Sequence, residues 1–402
     1  MRSPFAPGAI VAIVAIVALA LSAIVAAQAG RGGAPAAPAV PAAEVSSAID
    51  KLGSFEFPVR AAASRTVRRA PADVAVPALA RAARQHADGY IRYRALVLLA
   101  GFGDAPAAQV MREVMPDRND RLRAVAYAWF EQHREVSVIP MLIEASHLEQ
   151  SDVVRPALLR ALAAHSDDPR ARAAALPLVM RGQDDFRGAM IDALGDYRAT
   201  YAVASIAEVA KLEGPLQDDA VMALGKIGDK SAHDVLADLQ RNSPRVVQPS
   251  ISAALWLLGS NVAANDDFLK KSLTFAASTG GNQPLLRGAA HALAVLAVRD
   301  HPSALTALLD AGVPSADPAR APIALGVGRV ALRNPALLLN VLEPRADRDG
   351  VILLLQDAFD MLSSEDYQLE RFYVEIRRAY WSAAPDSPRR RLAEALITKL
   401  EF

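Results

Sequence analysis

The sequence predicts an all-α chain: an α-solenoid of about eleven stacked helix hairpins behind an apolar leader. Three observations carry that prediction. From Val45 onward apolar residues recur three and four apart, and glycine, proline or aspartate breaks the pattern roughly every 12 to 16 residues. A polar residue, usually arginine, returns in one register with a period of roughly 31 or 32 residues. Aromatic residues make up only 5% of the chain while alanine is abundant throughout, a composition that suits helices better than a β-sandwich or barrel.

The first element is the uninterrupted apolar run from Ala9 to Ala27. As a helix it would span roughly 28 Å, close to the hydrocarbon thickness of a bilayer. Arg2 precedes it, and Ala27-Gln28-Ala29 closes it with a small-x-small pattern suited to signal peptidase. Residues 1–29 are therefore expected to be a signal peptide cleaved after Ala29. The run is long for that purpose, so the alternative is an inner-membrane anchor through residues 9–27 with the N-terminus inside. No cysteine comes after the run, which excludes a lipoprotein. Residues 30–43, GRGGAPAAPAVPAA, cannot bury a face and read as a linker. On either reading residues 44–402 are exported to the periplasm or cell envelope.

The repeat comes next. Arg60, Arg92, Arg123, Arg155 and Arg187 stand near the start of the second helix of successive hairpins, at steps of 32, 31, 32 and 32. Gln217 and Gln248 continue the register after 30 and 31, Arg287 after 39 and Arg320 after 33. The long step predicts an inserted loop in FAASTGGNQP, Phe275 to Pro284. Fainter copies begin near Val351 and Arg389. One hairpin cannot bury its apolar stripe alone, so neighbours must stack into a continuous core. ALGKIGD, Ala223 to Asp229, is the joint between hairpins: Gly225 and Gly228 are expected to leave the helix through positive φ, and Asp229 to cap the next one.

These features resemble HEAT-repeat proteins, specifically the short bacterial HEAT-like type related to the phycocyanobilin-lyase repeats. The resemblance covers about residues 45 to 400. It rests on ALGKIGD, on the VR-x-A-A and LR-x-V-A helix starts, and on Pro77 and Pro140, which stand at one and the same spacing before Arg92 and Arg155. It implies that Arg60, Arg92, Arg123, Arg155, Arg187, Arg287 and Arg320 form a structural ladder with turn acids of adjacent repeats, for which Asp73, Asp104, Asp120 and Asp196 are candidates. The competing reading of those arginines is a stripe for an anionic ligand.

No catalytic constellation stands out. Forty-four basic and 44 acidic residues cancel, leaving no global field to draw in nucleic acid. Absence of cysteine removes disulfides, thiolate metal sites and thiol catalysis. Seven scattered histidines include Asp229/His233/Asp234 and His165/Asp167/Asp168, which could be drawn as metal sites but read as helix caps or solvated residues; no metal or cofactor is expected. Asp184-Asp185 and Asp266-Asp267 read as acids complementing helix starts. Gly326 to Ala331 fits a loose G-x-G-x-x-A but sits inside a helical pattern, so it reads as close helix packing.

The C-terminal segment YQLERFYVEIRRAYW holds Tyr367, Phe372, Tyr373, Tyr380 and Trp381, with Arg377 and Arg378 among them. It reads as the cap of an open core, with partner docking as a second role. The function expected from the sequence is a non-catalytic scaffold of the bacterial envelope. It would bind a protein or peptide along its concave face through Tyr90, Tyr93, Tyr127, Gln217 and Gln248, and at the cap through Phe372, Tyr373, Tyr380 and Trp381. The alternatives are a lyase or enzyme-associated protein of the chromophore-lyase type, which the resemblance implies, and a nucleic-acid-binding protein, which the balanced charge disfavours.

Overall fold

Twenty-two α-helices and no strands occur among the described residues of the computed structural model, which are 40–279, 282–362 and 366–401. The apolar run 9–27, the cleavage point at Ala29 and most of the 30–43 linker lie outside them.

The helices pair into eleven hairpins. In chain order these are α1 Ala42–Lys51 with α2 Phe57–Arg69, α3 Ala72–Gln85 with α4 Gly89–Ala100, α5 Asp104–Val114 with α6 Asp120–Gln132, α7 Ile139–Leu148 with α8 Arg155–Ala164, and α9 Pro169–Ala175 with α10 Asp184–Asp196. Then come α11 Val203–Ala210 with α12 Gln217–Ile227, α13 His233–Asn242 with α14 Gln248–Leu257, α15 Val262–Thr279 with α16 Gln283–Val298, α17 Pro302–Gly312 with α18 Arg320–Arg333, α19 Pro335–Leu342 with α20 Arg348–Met361, and α21 Asp366–Ser382 with α22 Pro388–Lys399. Even-numbered helices stack on one another from α4 to α20 as the inner layer, and odd-numbered ones form the outer layer. Each inner helix of that run sends an apolar stripe into the shared core, and Leu96, Phe130, Leu158, Ile191, Leu224, Ile251, Leu293, Val327 and Leu355 are all fully buried. That is the physics of a repeat array: each hairpin supplies half of two interfaces.

The long step of the repeat comes from helix and not from loop. α15 runs for 18 residues through Phe275 to Thr279, because nothing in KKSLTFAAST breaks a helix before Gly280. The first helix also starts within the expected linker, at Ala42. At the ALGKIGD joint the two glycines have different duties. Gly228 takes φ 78° and ends α12, and the Asp229 carboxylate accepts from the Ser231 N–H. Gly225 stays helical instead; a Cβ there would lie 2.4 Å from Ala254 Cα, so glycine permits the close crossing of α12 and α14.

Two sets of contacts close the array on itself. α21 crosses to the start of the chain, where the Arg68 guanidinium of α2 donates to both Glu370 oxygens at 2.5–3.1 Å and lies 4.7 Å above the Tyr373 ring. Beside it, Asp366 accepts from Tyr93 Oη at 2.5 Å and pairs with Arg94 of α4 at 2.7 Å. Farther along, Arg333 of α18 pairs with Asp196 of α10 at 2.5 Å, and Arg299, next after α16, donates to the Gly195 carbonyl at 3.1 Å. First and last hairpins thus touch, and inner helices eight apart in number meet.

Candidate functional site

The repeat arginines have a common duty that differs from the expected ladder. Six of the seven reach back to carbonyls at the end of their own hairpin's first helix or in the turn after it, where a helix leaves such groups without partners; Arg287 is exposed and does not join them. Arg60 donates to the Ser54 and Phe55 carbonyls at 2.7 and 2.9 Å, Arg92 to Ala83 at 3.0 Å, Arg123 to Asp117 at 2.8 Å, Arg155 to Glu149 at 2.8 Å, Arg187 to Val179 at 3.1 Å and Arg320 to Gly312 at 3.3 Å. Gln217 and Gln248 do the same, to Ala210 at 3.1 Å and to Gln240 and Ser243 at 3.1 and 3.0 Å. An uncharged amide therefore replaces the guanidinium, and hydrogen bonding is the shared task. Links between successive hairpins exist only in places, through Arg92–Asp117, Arg123–Glu149 and Arg320–Asp357. Asp120 pairs with Arg123 of its own helix.

The residues expected to line a concave groove are largely inside the protein. Tyr93, Tyr127 and Gln217 are buried, with Tyr127 Oη donating to the Met115 carbonyl. Gln248 is held by its two carbonyls, and Tyr90 lies under Arg121. At the C-terminal cap Phe372 and Tyr373 are buried as well; Tyr380 is half-buried beneath Arg390, and Trp381 alone is exposed, at 69%. The physical reasons differ: Tyr93 is covered by α21 through Asp366, whereas Tyr127, Gln217 and Gln248 turn inward to carbonyls of their own hairpins.

What the inner face holds is a charged cluster at the C-terminal ends of successive inner helices. Glu131 of α6, Arg160 of α8, Asp192 of α10 and Lys226 of α12 alternate in sign at separations of 29, 32 and 34 residues. Arg160 bonds Glu131 at 2.8 Å, Asp192 at 3.1 Å and Asp196 at 2.9 Å, and Lys226 bonds Asp192 at 2.5 Å and Asp196 at 2.7 Å. Arg333 and Arg299 join from α18 and the end of α16. Converging helix C-termini place negative dipole ends here, so the cations complement backbone as well as side chains.

Burial pushes Asp192 and Asp196 up, but Lys226 foremost, with Arg160 and Arg333, outweighs it and holds both below the ordinary carboxylate value. The next groups outward behave oppositely. Burial, reinforced by the charges of Asp192 and Asp218, raises Asp219 of α12 to about 6 despite Lys226 and Arg329. Burial and then Arg329 press His291 of α16 down to about 4, and its Nδ1 lies 3.3 Å from Arg329 Nη1 as the acceptor of a neutral ring. The cluster is ringed yet wet: Asp192 keeps 39% and Arg333 41% of their side-chain surface, and Arg329 is exposed. Five cations, Arg160, Lys226, Arg299, Arg329 and Arg333, meet five carboxylates, Glu131, Asp192, Asp196, Asp218 and Asp219.

Among the described residues no group of three or more histidines and acids is placed to hold a metal ion. Asp168 and Asp229 are bound to N–H groups at helix starts, His165 is held between the Ala161 carbonyl and the Glu135 N–H, and Asp266 and Asp267 pair with Lys270 and Lys271. His233 and Asp234 border a groove beside the turn that follows α14, with Leu258 and Ser260. Gly326 and Gly328 sit against Ala290 and Ala358, as close packing requires.

The fold and this cluster define the class: an α-solenoid of stacked helix hairpins, closed on itself, with a charged inner face. No family model matches the chain, and no curated relative matches it. Solved structures do match, among them the complex of CpcE and CpcF of phycocyanin lyase from Nostoc sp. PCC7120, at 16% identity and a TM-score of 0.41, over 64% of this chain and 96% of that one. That match is to a lyase complex. It stands on the side of the chromophore-lyase alternative and against two expectations from the sequence, the non-catalytic envelope scaffold and the chain that is not an enzyme.

Proposed function

We propose that the chain is a lyase-type or enzyme-associated helical-repeat protein. Its inner-face cluster takes a carboxylate-bearing ligand on Arg329 and Arg333, carried or received by a protein partner, and exchanges a proton with it through Asp219. The observation that carries this reading is the pair Arg329 and Arg333, still open to water at the rim of a cluster whose other cations are engaged. Arg333 is already oriented by Asp196, and Arg329 by His291, so neither loses much freedom on binding an anion. A group near pH 6 adds the chemistry. Addition to a double bond, or the elimination that forms one, needs a residue that both gives and takes a proton near neutral pH, and Asp219 is such a group. Residues 9–27 belong to the same proposal as an export or anchor segment, cleaved after Ala29 in the first case.

Titration of the full chain in mild detergent with biliverdin, a linear tetrapyrrole with two carboxylates, tests the reading through the pigment's absorbance. Changing both Arg329 and Arg333 to alanine is expected to weaken binding by about tenfold or more, as the loss of charge-assisted hydrogen bonds of about 1.5–3 kcal/mol requires. Absence of binding overturns the ligand class, and binding indifferent to the double change overturns the site.

A further inference from the structure

One edge of the array carries apolar side chains that the fold does not use. In four successive hairpins, α7–α8 to α13–α14, the turn from first to second helix exposes Leu148 and Val153, then Met180, then Leu212, then Val246, each 43 to 67% open. The opposite turns 165–168, 197–202 and 228–232 expose no large apolar residue, and Val136, in the turn before α7, stands alone on that edge. With stacked helices roughly 10 Å apart, the row is roughly 30 Å long. Phe55 and Phe57 extend the same edge at the first hairpin, where Phe55 is fully exposed, and Trp381 stands beside the last such turn. Single exposed apolar residues are ordinary, but a row in register on one edge marks a contact surface.

We propose that this edge lies on a lipid bilayer. The chain itself brings a bilayer-length apolar run at residues 9–27, in the sequence that precedes α1. Lipid is the apolar phase such a chain would carry to its own edge, and the proposal rests on that reading of residues 9–27. Exposed Arg181, Lys211 and Arg245 flank the row and can keep their charges among headgroups, while exposed Asp152 and Glu213 offset them. The attraction is therefore apolar and does not require anionic lipid.

The chain has no cysteine, so single positions can be labelled cleanly. Full-length Met180→Cys and Leu212→Cys on the row, with Arg198→Cys and Lys230→Cys on the opposite edge, would carry an environment-sensitive fluorophore. Each would be reconstituted with phosphatidylcholine vesicles whose acyl chains are brominated. The expected result is flotation with the vesicles and loss of fluorescence at 180 and 212 but not at 198 and 230, with helical circular dichroism unchanged. Flotation with equal signals at all four positions leaves residues 9–27 as the membrane segment and overturns the edge. No flotation overturns both. Self-quenching at 180 and 212 without vesicles would show a second copy covering the row and would likewise overturn the proposal.

Discussion

Asp219 and His291 sit on the same inner face with opposite departures from their ordinary values, and the signs have consequences. Asp219 is raised to about 6, so the stability it contributes is present below the unfolded carboxylate value and is lost as pH rises through 6. His291 is lowered to about 4, so its contribution is present above the unfolded histidine value and is lost as pH falls through 4. Between pH 4 and 6 the two oppose each other. Urea melts across that window should show Asp219→Asn gaining stability with rising pH and His291→Gln losing it, both relative to a flatter parent. Parallel profiles for all three chains would remove these residues from the linkage. Sequence alone did not reveal either role. Asp219 comes after Gln217 and Asp218 as one more acid of a helix start, and His291 lies in an alanine-rich helix with no partner in reach along the chain. The signal that was available is subtler: Glu131, Arg160, Asp192 and Lys226 interrupt otherwise apolar helix ends at nearly the repeat period.

The hairpin was far more legible. Helix number, pairing and register emerge from apolar spacing and from the recurrent arginine, because both are local or nearest-neighbour properties. What local reasoning mislaid was the partner of that arginine. Charge suggests carboxylates, whereas the geometry of a short turn puts carbonyls first. The substitution series within the chain argues the point, since Gln217 is buried and still bonds the Ala210 carbonyl. Gln217→Leu is expected to cost about 1–3 kcal/mol in chemical denaturation, the penalty of an unsatisfied buried carbonyl. Gln217→Arg should cost less, because the preceding hairpin accommodates Arg187 at the same register. Equal losses for the two would mean that packing and not the hydrogen bond sets the preference. Similarly, the long step before Arg287 suggested a loop because insertions favour loops, yet a stretch without glycine or proline lengthened a helix instead.

At the scale of the molecule the closure governs everything else, and no sequence period announces it. Arg68 and Glu370 are 302 residues apart, and nothing in either neighbourhood names the other. Curvature accumulates from small rotations between hairpins, so whether two ends meet is decided by a sum that local patterns do not specify. Glu370 is 3% and Arg68 10% exposed. Glu370→Ala should therefore cost about 3–5 kcal/mol, as breaking a buried pair does. Hydrogen exchange would locate that loss: protection should fall in α2 and α4 as well as in α21. Loss confined to α21 would show that the two ends are only adjacent.

That closure has a consequence for how such a chain can change. An open array grows or shrinks by whole units, because a gained or lost repeat merely moves one free end. Here Arg68 must find Glu370, and Asp196 must find Arg333, across a fixed turn of the superhelix. Deleting one hairpin from the middle would carry both pairs out of reach, although every remaining local interface stayed intact. Eleven is thus a dimension of this protein in the way that strand number is a dimension of a barrel, and duplication, the usual path by which repeat proteins diversify, is closed to it.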